Sequence, residues 1–486
     1  MKAKYLYILM VTGLVCSWSC ENDLNVNPES VITSSSMWQS EGDATASMYG
    51  ALSQFRSAIG SDYIRWGDYR SGYFGDALGS QASYQDIYLN SLDDQDTGTN
   101  WAALYKAIND CNLIIKYVPE ITFSKETDKQ FILANAHFIR AFSYYFLARV
   151  WGDAPIVLSG FESDDQEDLF PSRSPLQEVL NQVASDIDTA LSLFPSNNAG
   201  SRKTASMAAA NMLKTDLNLW LFKTQNGGEV ALQTANNAIN QVLGNSDYAL
   251  LNDYESIFRN EENEEIIFAI NCERDEYEGG FSSDWLVAVQ YVNDKSLVEE
   301  SIKVGSHQQW VTFTDEFEAF LYENPNDSRA RVSMDFYDEV GNNRFKWINK
   351  YLGEWIDNTR YFTSDIPIYR YAEALLFKAE IENSMGNPSS ATGYLNTLAE
   401  RAYGEANYYS GEFSQNDLDQ IILEERLKEF AAEGKSWWDL IRFGEVFERV
   451  ATLNGRENEQ NILFWPVNVE SINRNQNIEQ TPGYIK

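Results

Sequence analysis

AHFIRAFSYYFLARVWGDAP, residues 136–155, has almost no polar face. Extended upstream to Glu126, the run places Phe131, Ile132, Phe138, Ile139, Phe142, Tyr145, Phe146 and Val150 around nearly the whole circumference of a helix. A helix that is apolar all round must be enclosed by other elements, and Gly152-Asp153-Ala154-Pro155 supplies its stop. The chain is therefore expected to be built of helices packed on helices.

The flanking segments carry the same period. WAALYKAINDCNLIIKYVPE (101–120) sets Trp101, Leu104, Tyr105, Ile108 and Ile115 at three- and four-residue spacings, and Pro119 ends the pattern. Further helical stretches run from Pro175, from Lys203, and through GEVALQTANNAINQVLG to Gly244. Helix pairs joined by short loops predict stacked hairpins of the tetratricopeptide kind. Trp101-x-x-Leu104 is a partial echo of that repeat.

Between 246 and 364 the character changes. EEIIFAI (264–270) reads as a short strand, WLVAVQYV (285–292) as a second candidate, and glycines and acids interrupt the rest. Helical patterning resumes at Asp365, with Pro367 in the first turn and Ile368, Tyr371, Ala372, Leu375, Leu376 and Ala379 on one stripe. Ser414 with Asp417 reads as a capping box for a helix running to Ala432, and Gly434 as its C-terminal cap. The expected fold is mainly α: a helical-hairpin scaffold over 30–245 and 365–486, interrupted by an irregular, loop-rich ligand-binding insert over 246–364 that contains short strands.

A formal net charge of −35 makes nucleic acid an unsuitable partner, because phosphate backbones require clustered Lys and Arg. Neutral ligands fit best. The 13 Trp, 27 Tyr and 26 Phe exceed what core packing alone suggests, and flat rings suit a protein that stacks on ligands. No nucleophile elbow, phosphate-binding loop or dinucleotide fingerprint is present, and no cofactor or metal set is signalled. Of two histidines, His137 falls inside the buried helix and reads as a satisfied core residue. Paired carboxylates for glycoside hydrolysis stay open, since 72 acids allow many pairs. Cys111 and Cys272, the two cysteines outside the export region, read as buried thiols rather than a bridge.

At the N-terminus, Lys2 and Lys4 precede an apolar run, Tyr5 to Trp18, of secretion-signal length. Ser17-Trp18-Ser19-Cys20 resembles the lipobox of bacterial lipoproteins, with Ser17 where an aliphatic residue is usual. The resemblance implies a signal peptide over 1–19 and lipidation of Cys20, while Glu21 and Asp23 resemble an acidic surface-export signal.

Four stretches then converge: AHFIRAFSYYFLARVWGDAP, DIPIYRYAEALLFKAE (365–380), ILEERLKEFAAEGKSWWDLIRFG (422–444) and FWPVNVESINRNQNIEQTPGYIK (464–486). Together they resemble the signature segments of the SusD/RagB family of surface lipoproteins, in that family's order. Thr481 and Ser436 depart from the usual Asn and Arg. The resemblance spans 20–486 and implies a non-enzymatic, lipid-anchored outer-membrane protein at the cell surface. Its expected partners are an oligosaccharide ligand and a SusC-like TonB-dependent transporter; peptide capture of the RagB kind and a surface glycoside hydrolase are the alternatives. Arg140, Arg370, Glu373, Glu425, Arg426, Glu433 and Asp439 lie in apolar helical surroundings and read as one buried ionic network.

Ligand contacts are expected on loops held by that scaffold. YIRWGDYRSGYFGDALGSQASY (63–84) offers Trp66, Tyr69, Tyr73 and Phe74 for stacking and Asp68, Arg70 and Asp76 for hydroxyls, the equal alternative being that these rings pack where the N-terminal segment docks on the helices. A second cluster, Tyr277, Phe281, Trp285 and Tyr291, lies in the insert beside Gly279-Gly280. Ligand contact is expected from at least one of Trp66 and Trp285.

Overall fold

The apolar circumference of the central helix sets the packing. In the computed structural model, which describes residues 37–163, 166–338 and 344–484, the N-terminal half forms helices α1 (Glu41–Ile59), α2 (Asp62–Gly67), α3 (Ala82–Tyr88), α4 (Ala102–Tyr117), α5 (Glu126–Trp151), α6 (Leu176–Leu193), α7 (Met207–Thr224) and α8 (Gly228–Leu243). The expected leader and Cys20 lie outside the described residues. Every residue of α5 from Phe138 to Trp151 is buried. Its neighbours α4 and α6 pack along it, α1 packs on α4, and α7 pairs with α8.

The middle of the chain is irregular, with strands in two-stranded pairs. Among the described residues, β1 (Phe74–Asp76) pairs with β5 (Val311–Phe313), β2 (Ile266–Ile270) with β10 (Ile366–Arg370), and β3 (Val287–Ala288) with β4 (Val304–Gly305). The hairpins β6 (Met334–Asp338) with β7 (Arg344–Ile348) and β8 (Glu354–Ile356) with β9 (Thr359–Tyr361) complete the set. Short helices α9 (Asp315–Leu321) and α10 (Ser328–Ser333) sit among them. Helices α11 (Tyr371–Ser384), α12 (Pro388–Tyr403), α13 (Gln415–Glu429) and α14 (Ser436–Arg442) follow, with both α12 and α13 packed on α11, and the shorter helices Val446–Arg449 and Val469–Arg474 come after them.

Three sequence readings are corrected. The pattern from Asp365 becomes strand β10 before α11 begins at Tyr371, and the strand's register shift between Pro367 and Tyr369 accommodates a residue that cannot donate to a ladder. Residues 285–292 contribute only the two-residue β3 between 3-10 turns. The helix expected from Lys203 begins at Met207, because Ser206 caps it by accepting from the Ala209 N–H at 3.1 Å. The Ser414–Asp417 capping box forms as expected, although its helix stops at Glu429. Cys111 and Cys272 are buried and unbridged.

The buried charges mostly converge. Arg370 donates to Glu433 at 2.7 Å, to Glu265 at 2.8 Å and to Glu429 at 2.6 Å. Arg401 shares Glu429 at 2.6 Å, Lys350 joins Glu433 at 2.6 Å, and Arg329 meets Glu425 at 2.7 Å. Nearby, Arg426 and Lys435 hold Glu373 at 2.9 and 2.8 Å, and Asp439 binds Arg442 at 2.9 Å. Arg140 departs from the expectation: it pairs with Asp186 at 2.6 Å, with His137 Nδ1 2.7 Å from the same carboxylate, in a separate cluster between α5 and α6.

These groups predict a bell-shaped pH dependence. Burial acting alone would raise the carboxyls of Glu425, Glu429 and Glu433, but Arg329, Arg370, Arg401 and Lys350 hold them below the usual range. Their contribution is complete above about pH 4.3 and is lost as pH falls further. Asp68 and Asp365, pushed up to about 6 chiefly by burial, act oppositely: their stabilisation is present below about pH 4 and is lost as pH rises through about 6. Self-repulsion of the −35 charge grows in the same direction. The melting temperature is expected to peak near about pH 5 and fall on both sides; a steady rise from about pH 4 to about pH 8 in a calorimetric series would contradict this.

Candidate functional site

The chain folds so that β1, α3, α9 and the segment after α14 surround a cleft of about 870 Å³, within the range of ligand sites. Pairing of β1 with β5 sets Phe74 opposite Phe313, their rings 4.9 Å apart. Thr314 caps α9 by accepting from the Phe317 N–H at 3.3 Å, and Asp315 and Glu316 suit the positive end of the helix. Phe317 is thereby aimed at Tyr73, and the two rings stack at 4.5 Å and 20°. Phe320 and the half-buried Tyr73 complete an aromatic wall.

Polar groups line the same cleft. The Gln85 amide donates to Asp76 at 2.6 Å, and the Tyr88 hydroxyl lies 3.4 Å from the same carboxylate. Arg449 donates to Gln420 at 2.6 Å and has Glu445 and Glu424 each at 3.5 Å, so its charge is balanced. Burial pushes the Tyr73 phenol up to about 12, with Arg449 pulling the other way, and so keeps it a neutral donor. The site offers rings beside hydrogen-bonding groups without an unbalanced cation. Among the described residues no group of three or more His, Cys, Asp or Glu side chains suits a metal ion, and no helix is long and apolar enough to cross a membrane.

Most of the aromatic residues expected at the site are elsewhere. Trp66 is 1% exposed, donates to the Gly98 carbonyl at 2.8 Å and packs against Phe146 and Trp151. Trp285 is fully buried, donates to the Tyr69 hydroxyl at 3.0 Å and packs on Phe281, which is also buried. Neither tryptophan is open to ligand, so the expected stacking role is corrected: their polar edges already have protein partners. Asp68 accepts from the backbone of Gly434, Lys435 and Ser436 at 2.7, 3.1 and 3.0 Å and from the Ser436 hydroxyl at 2.6 Å. Arg70 is enclosed over the Trp437 ring and donates to the carbonyls of Ile462, Leu463 and Phe464. Burial without a carboxylate partner draws its guanidinium down to about 10. Tyr277 is half-buried beneath Arg56. Tyr73, Phe74 and Asp76 are the expected residues that line the cleft, Phe74 being only 3% exposed. Phe317, Phe320, Gln85, Tyr88 and Arg449 were missed; the available signal was TFTDEFEAF (312–320), a capped turn whose Phe317 and Phe320 share a face.

Comparison with known proteins matches residues 309–484 to a family described as the SusD family, and residues 34–217 to one described as starch-binding, associating with the outer membrane. SusD-like protein P38 of Formosa agariphila is 27% identical over 96% of each chain. Starch-binding protein SusD of Bacteroides thetaiotaomicron is 30% identical over 34% of this chain and 30% of its own. Among solved structures, B. fragilis NanU superposes with a TM-score of 0.81 at 28% identity, covering 95% of this chain and all of that one. A SusD superfamily protein from Bacteroides vulgatus gives 0.79 at 27% identity, covering 92% of this chain and all of its own.

Proposed function

Because the chain belongs to the SusD/RagB family, we propose that it captures neutral oligosaccharides at the outer face of the outer membrane and delivers them to a SusC-like TonB-dependent transporter, anchored there through lipidated Cys20. The observation that carries the ligand class is the half-buried Tyr73 ring, backed by the buried Phe317 and sharing its cleft with Asp76, Gln85 and a charge-balanced Arg449. Sugar rings have apolar C–H faces and hydroxyl rims, which this combination can meet. Capture rather than cleavage is the reading throughout.

The test titrates the full chain in detergent calorimetrically against neutral oligosaccharides and against peptides, then chromatographs each mixture. Saccharide binding without cleavage supports the proposal, and released products would revive the hydrolase alternative. Tyr73→Ala should weaken saccharide binding about 30-fold, the equivalent of about 2 kcal/mol for a central aromatic contact. Undiminished affinity in that variant would remove the cleft from the proposal. Peptide binding is the second reading, favoured by one feature: β1 pairs only with β5 among the described residues, and Gly72 to Asp76 run along the cleft, where an added strand could bond.

A further inference from the structure

We propose that the binding surface consists of two subsites on opposite sides of α9, joined over Asp76, and that the protein therefore recognises an extended chain rather than a single terminal unit. This rests on the saccharide reading above. A second cleft, of about 630 Å³, opens beside the first and shares Asp76 with it. At the helical repeat of α9, Glu316, Phe317 and Phe320 fall on one side and line the first cleft, while Glu318, Ala319 and Tyr322 fall on the other and line the second. One short helix thus walls both.

The second cleft repeats the chemistry of the first. Half-buried Phe336 stands 5.6 Å from the Tyr322 ring, giving an aromatic element on that side as well. Lys346 is held at 2.7 Å by Asp315, and Arg344 is paired with Glu318, so neither cation is free to select an anion. Gln309 and Thr312, 1% and 3% exposed, form the floor of this second cleft. Between the clefts stands Asp76, exposed at the end of β1, with Gln85 bonded to one carboxylate oxygen. Each cleft also has an exposed leucine, Leu89 at the first and Leu78 at the second, 54% and 45% accessible. A ligand lying across Asp76 reaches both aromatic elements and both leucines. A single ring occupies one cleft and gains half of these contacts.

The experiment uses the full chain in detergent and linear neutral homo-oligomers of glucose, galactose and mannose, from one to about six units. For the series that binds, affinity should rise about 10-fold or more once the chain is long enough to enter the second cleft. Phe336→Ala, and independently Leu78→Ser at an accessible position, should abolish that rise and leave the shortest binding oligomer unchanged. Tyr73→Ala should weaken every length. Affinity independent of length, or a second-cleft variant that weakens all lengths alike, overturns the two-subsite proposal while the saccharide reading stands. Binding of none of the three series, with peptide binding retained, overturns both.

Discussion

Arg370→Ala is expected to destabilise the fold by about 3–5 kcal/mol, the cost of removing one member of a buried ionic cluster. Arg370 is 1% exposed and bridges three carboxylates contributed by Glu265, Glu429 and Glu433. Alanine leaves negative charges packed together in a region with little access to water. Arg401 and Lys350 compensate only partly, because each already serves one or two of these acids. Arg370→Lys should rescue little, since an ammonium cannot reproduce the planar fork that reaches Glu433 through two nitrogens. Urea midpoints followed by fluorescence would measure the loss, with exposed Arg474→Ala as a control expected within about 0.5 kcal/mol. A midpoint unchanged in Arg370→Ala would mean that the cluster relaxes or hydrates freely.

Asp68→Ala should have the next largest effect, about 3 kcal/mol or more, by leaving several buried donors unsatisfied. Asp68 is fully buried, and its carboxylate receives the three backbone N–H groups that open α14. Alanine leaves all three without an acceptor, along with the Ser436 hydroxyl. Close packing limits any repair: a Cβ placed on Gly67 would stand 1.9 Å from the Gly434 carbonyl oxygen, so the two segments touch at glycine. The carboxyl's upward shift to about 6 records how costly its burial is even with four donors present. Asp68→Asn retains one good acceptor and should fall between wild type and alanine. Hydrogen exchange at Gly434, Lys435 and Ser436 offers a local check, since protection there should fall first if Asp68 is the dock.

The helices were legible because their signals are local. The period of 126–151 marks an enclosed helix, and the Ser414–Asp417 cap forms within four residues. Six of the seven charges read as one network lie in it or beside it, because an ion in an apolar helix must find a partner. Arg140 was misplaced since its nearer partner, Asp186, sits on a neighbouring helix that sequence does not orient. The cleft was scarcely legible: Tyr73, Phe317 and Arg449 come from three distant segments. The ring-rich stretch at 63–84 misled for a physical reason. Trp66 donating to a carbonyl and a tryptophan donating to a sugar hydroxyl have the same composition, and only burial separates them.

The bonds of Asp68 and Arg70 also govern when the protein can finish folding. Arg70 has one local partner, the Asn90 side-chain oxygen, to which it donates at 2.7 Å; the acceptors of its other two nitrogens and the donors to Asp68 lie 366 to 394 positions later in the chain, so the early helices cannot fully satisfy these groups until the final segment has been made. Closing so long a span adds only slowly growing entropy, yet contacts of such separation delay the transition state. Newly synthesised N-terminal helices would spend that interval with a buried-type carboxylate and guanidinium still facing water, a period of vulnerability to proteases and to aggregation. Once closed, the same clasp ties the segment after α2 to the segments on either side of α14, so freeing either requires breaking contacts with its distant partner. Persistence in the folded state would then be governed by the rate at which that clasp opens.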